Sequence, residues 1–104
     1  MNTRKRLPNR RGAIAVGVEH DGHQFRMSVG HYPDGSMGEV FLDAAKQNSA
    51  LDAFAADSAI LISLLLQYGA SPADIGHALR RTTSGAPASL IGTVVDRLAA
   101  EDGR

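Results

Sequence analysis

Residues 48–69, NSALDAFAADSAILISLLLQYG, decide how this chain folds. Ser49 stands three residues before Asp52, the capping-box spacing in its aspartate form. Gly69 supplies the residue type that most readily turns left-handed after a helix. Between them lie helix formers and no proline, so the stretch predicts one long helix. From residue 59 to 66 only Ser63 is polar, which leaves this half without an evident solvent face. A helix apolar all round has to be covered on several sides. In a chain of 104 residues the remaining elements are expected to supply that cover.

Working outward, the N-terminal side alternates. In residues 13–20, Ile14, Val16 and Val18 face one way and Ala13, Ala15 and Gly17 the other. Asp21-Gly22 is a tight hairpin signal. Residues 23–32 alternate again, with Phe25, Met27 and Val29 set against Arg26, Ser28 and Gly30. Tyr32-Pro33-Asp34-Gly35 forms the next turn, proline presetting its second position and glycine closing it. A third strand over residues 38–44 places Val40 and Leu42 opposite Glu39, Phe41 and Asp43. Beyond Gly69, Ser71-Pro72-Ala73-Asp74 reads as an N-cap, a proline at the first helical position and a first-turn acid. Ile75, Ala78 and Leu79 make its short apolar stripe. A third helix over residues 87–100 carries Leu90, Ile91, Val94, Val95 and Leu98. The expected fold is α+β, a three-stranded antiparallel β-meander packed on a central apolar helix and two shorter helices, in the order βββααα.

Composition narrows the function. Hydrophobic residues at 43% and charged residues at 21% fit one soluble domain. The absence of cysteine excludes disulfides, thiolate metal sites and thiol-borne radical chemistry in this chain. Formal charge is zero, yet five of the eleven basic residues, Arg4, Lys5, Arg6, Arg10 and Arg11, lie in residues 1–11 without an acid. That segment lacks periodicity and reads as a flexible basic arm, ahead of a domain over 12–101 and a frayed tail over 102–104. No apolar segment follows the basic start as in a signal peptide, and the apolar run is shorter than a membrane span, so a cytoplasmic location is expected.

Several spaced motifs carry a family likeness. They are RLPNR at 6–10, GHYPDGSMGEVFL at 30–42, AKQ at 45–47, LQYG at 66–69, and Ser84-Gly85 followed by an Ile91-to-Asp96 helix segment. Together they resemble the TSCPD domain, the C-terminal region of adenosylcobalamin-dependent (class II) ribonucleotide reductases. The likeness runs from about Arg4 to Leu98. The radical-bearing barrel, its cobalamin contacts and the cysteine motif that names the domain have no counterpart here, so reductase activity does not carry over. The resemblance implies a free-standing, non-catalytic accessory or regulatory module, with no cofactor of its own. Its partner would be a class II reductase-type protein or a second copy.

Individual residues offer few chemical sites. His20 and His23 flank a turn beside Asp21, yet a metal site would need a fourth ligand, and polar turn residues are the simpler account. His31, Tyr32, Asp34 and Glu39 gather at the second turn without a nucleophile. Lys46, Gln47, Asn48 and Ser49 stand at the start of the central helix, where free amides and a lysine suit an anion. The arm, with Lys46, suits a nucleotide or nucleic-acid phosphate as an alternative function, although no aromatic is interleaved for stacking. Phe41, and Tyr32 with it, are expected on an uncovered sheet face, where they suit a homodimer contact.

Overall fold

A computed structural model describes residues 3–7, 13–44 and 49–102, and the side chains of these except at positions 13 and 14. Three strands, β1 (Ala13–His20), β2 (His23–His31) and β3 (Met37–Ala44), form one antiparallel sheet in the order β1-β2-β3. Asp21 and Gly22 both take positive φ, 50° and 79°, as the two-residue turn requires. At the second turn Gly35 N donates to Tyr32 O at 2.9 Å and Gly35 sits at φ 91°. The register pairs Val18 with Phe25, Met27 with Leu42 and Val29 with Val40, so the apolar alternation shares one face. A bulge falls between Gly30 and His31.

The helices are α1 (Ala50–Gln67), α2 (Pro72–Ala78) and α3 (Leu90–Asp102). Ser49 caps α1, its hydroxyl accepting from Asp52 N at 3.1 Å. The C-terminal end is a Schellman closure: Gly69 N reaches Leu66 O and Ala70 N reaches Leu65 O, with Gly69 at φ 104°. Ser71 caps α2 with Pro72 in its first turn. Ile75 is buried there, whereas Ala78, expected on the same stripe, is exposed because α2 ends at that residue. α3 starts at Leu90 rather than at 87. Ser89 accepts from Gly92 N at 3.0 Å as its cap, and Pro87 instead bridges Arg81 across the 82–86 loop. Arg81 and Asp96 then tie that loop to α3 through two hydrogen bonds of 2.9 and 2.6 Å.

α1 does not lie over the middle of the sheet. It runs along the open edge of β3, and its polar residues occupy the unpaired backbone groups there. Val40 N donates to Ser63 Oγ at 2.8 Å, Ala44 N to Asp52 Oδ1 at 3.2 Å, and Gln67 Nε2 to Gly38 O at 2.9 Å. Positions 38, 40 and 44 share one parity, so all three groups point away from β2. An uncovered edge strand is a template for aggregation, and a covering helix removes it. Ala55 and Ala59, both buried, keep the helix surface low where it meets the strand. Ile62 and Leu66 reach the core, joined by Ile75 of α2 and by Val94, Val95 and Leu98 of α3.

This placement corrects the expectation that α1 is covered on several sides. Phe54 is 74% exposed, Leu61 63%, Ile60 56% and Leu65 46%. The reason is geometric: a helix docked on a sheet edge touches the strand on one flank and the core below it. α2 and α3 pack against each other and leave the outer flank bare. With 18 residues, α1 also meets the length and apolarity of a membrane span, a test that the core helices of soluble proteins pass as well.

Candidate functional site

The residues of the expected basic arm divide. Thr3 to Leu7 are docked against the end of α1, while Arg10 and Arg11 lie outside the described residues. Lys5 N donates to Gln67 O at 2.8 Å, and Arg4 Nε donates to Gln67 Oε1 at 2.5 Å. The last turn of α1 holds no basic residue of its own. Arg4 supplies the cation that the negative end of the helix favours. Lys5 places its ammonium 4.4 Å from the centre of the Tyr32 ring, and the Tyr32 hydroxyl donates to Lys5 O. Arg6 is exposed.

Tyr32 therefore is not on an open sheet face. It is buried at 6% exposure, against the expectation from alternation, because the N-terminal segment closes over it. Desolvation pushes its phenol above the ordinary value, with Arg4 opposing the rise and Asp34 adding to it. Gly38 lies under the ring: a Cβ there would stand 2.6 Å from Tyr32 Cε2 and 3.0 Å from Leu7 Cδ1. Buried Gln67 links the whole arrangement, donating to β3, accepting from Arg4 and offering its backbone carbonyl to Lys5. Sequence reading passed over Gln67 because an amide beside a helix end looks like a solvated residue.

Segments far apart in the chain thus converge on one clasp: residues 4–7, the Tyr32 turn, Gly38 and the Leu66-to-Gly69 helix end. A cleft of about 440 Å³ opens beside it, lined by Lys5, Tyr32, Ser36, Tyr68 and Ser71 among others. Several of its polar groups have local partners. Asp34 Oδ1 accepts from Ser36 N at 2.9 Å and from Ser36 Oγ at 2.6 Å, which holds the Asp34 carboxyl below its usual value. The Ser71 hydroxyl is engaged in capping α2.

The other expected sites are dispersed. Lys46, Gln47 and Asn48 lie outside the described residues, and Ser49 serves as the α1 cap. His20 Nδ1 is 2.9 Å from Thr93 Oγ1 and its Nε2 is 3.3 Å from Asp21, whereas His23 is exposed. Among the described residues no three His, Asp or Glu side chains gather as a metal site. Phe41, 53% exposed, does stand on the outer sheet face, opposite Ser28 and next to the 3.5 Å Arg26–Asp43 ion pair. It is one large apolar group on a face otherwise small and charged. The outer flank of α1, by contrast, aligns Phe54, Leu61 and Leu65 at i, i+7 and i+11. An apolar groove of about 200 Å³ between Phe54 and Ile91 continues it towards α3.

The converging clasp segments belong to three of the five motifs that carry the family likeness, and the TSCPD domain family matches residues 2–101. The chain belongs to the TSCPD family. This TSCPD domain is 39% identical over 69 residues to a vitamin B12-dependent ribonucleotide reductase of Bradyrhizobium diazoefficiens, a match covering 66% of the chain and 6% of the relative. It is 41% identical over 66 residues to the enzyme of that name from Agrobacterium fabrum, covering 64% of the chain and 5% of the relative. The corresponding protein of Rhodopirellula baltica is 35% identical over 66 residues, covering 64% of the chain and 6% of that protein. The chain thus spans a small fraction of the length of these curated relatives. No solved structure matches it.

Proposed function

We propose that this TSCPD domain is a non-catalytic accessory or regulatory module that works by protein contact, and that a vitamin B12-dependent ribonucleotide reductase is its functional partner. The observation that carries the contact reading is the outer flank of α1, where Phe54, Ile60, Leu61 and Leu65 remain exposed in the folded chain. Apolar side chains gathered on one helix face mark a surface that is covered in use. The sheet face contributes less, having Phe41 alone, and residues 3–7 are engaged with the domain's own clasp. Side chains lining the cleft are committed to structure: Tyr32 to Lys5, Ser36 to Asp34, and Gln67 to Gly38 and Arg4. The reductase assignment rests on the relatives' names.

Titration calorimetry of the chain against the B12-dependent reductase of the same source, paired with nucleotide-reduction assays, tests this reading. Saturable binding and an altered turnover or nucleotide response are expected, both lost on Leu61→Glu. Absence of binding together with unchanged turnover would refute it.

A further inference from the structure

We propose that the outer flank of α1 is a self-pairing surface, on which a second copy of this chain docks its own α1 antiparallel. This rests on the protein-contact reading: in the free chain a second copy occupies the face that the reductase would take. Phe54, Leu61 and Leu65, in line on this flank and exposed by roughly half or more, present a patch of roughly 400 Å², within the ~300–600 Å² reached by the largest patch on a monomer. The flank holds a single charge, Asp57, and is otherwise apolar, so apolar contact dominates what it offers a partner. What it fits is another largely apolar ridge of similar length.

A second copy provides that ridge by symmetry. In a two-fold pair the same patch serves both sides, so each contact is made twice. With the helices antiparallel and crossing between Ser58 and Leu61, Phe54 of one copy lies over Leu65 of the other. Leu61 then falls beside the axis. The formal charge of the chain is zero, so two copies approach without net repulsion. Pairing removes roughly 800 Å² from water in total, in the low range of weak, transient contacts. A reversible dimer is therefore expected rather than a permanent one.

Sedimentation of the 104-residue chain over a concentration series, with variants at both apolar surfaces, provides the test. The unaltered chain is expected to pass from monomer to dimer between micromolar and several hundred micromolar. Leu61→Glu and Leu65→Lys should remain monomeric with unchanged circular dichroism, and Phe41→Ser should still dimerise. Because the chain has no cysteine, single-cysteine variants report the geometry. With a short bis-maleimide, Leu61→Cys should couple to itself, and Phe54→Cys mixed with Leu65→Cys should give more mixed product than either gives alone. A chain that stays monomeric throughout overturns self-pairing, as does a dimer abolished by Phe41→Ser and untouched by Leu61→Glu. Co-sedimentation of a monomeric chain with phosphatidylcholine vesicles, lost on Leu61→Glu, would overturn it in favour of a membrane surface. If the monomeric chain still binds the reductase through Leu61, self-pairing fails while the contact reading stands.

Discussion

The two flanks of α1 both carry large aliphatic side chains and have opposite fates. On the inner flank Ala55, Ala59, Ile62 and Leu66 are all buried, and Asp52, Ser63 and Gln67 bond the edge of β3. On the outer flank Phe54, Ile60, Leu61 and Leu65 are exposed. Hydrophobicity does not separate them. What separates them is the inner pattern of small residues, which permits close approach, and of polar residues placed to meet an unpaired strand. Burial follows from what the neighbouring element requires, and the flank with no such match is left exposed.

The largest expected difference between the flanks is energetic. Ile62→Ala removes a buried side chain and should cost about 2–5 kcal/mol in urea unfolding. Leu61→Ala, one residue away, should change stability by no more than about 0.5 kcal/mol at a concentration where the chain is monomeric. Equal losses from the two would erase the distinction.

Gln67→Ala comes next. It strips Gly38 O of its donor and Arg4 of its acceptor, a loss of roughly 2–4 kcal/mol given that buried groups without partners are costly. Amide exchange at Lys5, measured by NMR, should accelerate along with that loss. Slow exchange at Lys5 in the variant would mean that the clasp does not depend on this side chain.

Ser63→Ala probes the edge alone and should cost about 1–3 kcal/mol, because Val40 N–H keeps no hydroxyl to donate to. Ser63→Thr retains the oxygen and should recover much of the stability.

The smallest effect lies away from α1. Arg81 holds the Asp96 carboxyl below its ordinary value of 3.8. A carboxylate with a lowered folded-state pKa stabilises the fold above its unfolded value, and that contribution disappears as pH falls through the folded one. Asp96→Asn should therefore flatten the loss of stability below pH 3.8 while leaving the Asp34 contribution, which has the same sign. An unchanged acid-unfolding curve would show the pair to be screened by solvent.

Much of the fold was legible because its signals are local. Alternation set the strands and their facing, the Asp21-Gly22 and Tyr32-to-Gly35 turns set the hairpins, and Ser49 and Gly69 bounded α1. The start of α3 was misread because Pro87 resembles a first helical residue, while Ser89, the true cap, lay two positions on. The site was less legible. Tyr32 is covered by a segment twenty-seven positions away, which strand alternation cannot reveal. The exposure of Leu61 depends on α1 lying at the sheet edge rather than over its centre. One sequence signal did point there: Asp52, Ser63 and Gln67 fall on one side of the helix, a polar stripe in an apolar segment.

The difference between the flanks is tested most directly by methyl NMR across a dilution series of the unaltered chain. The Leu61 and Leu65 signals should shift steadily as concentration rises, while those of Val40 and Leu42, in the core, hold their positions. Leu61 and Leu65 signals that stay fixed over the whole series would contradict self-pairing through the outer flank of α1.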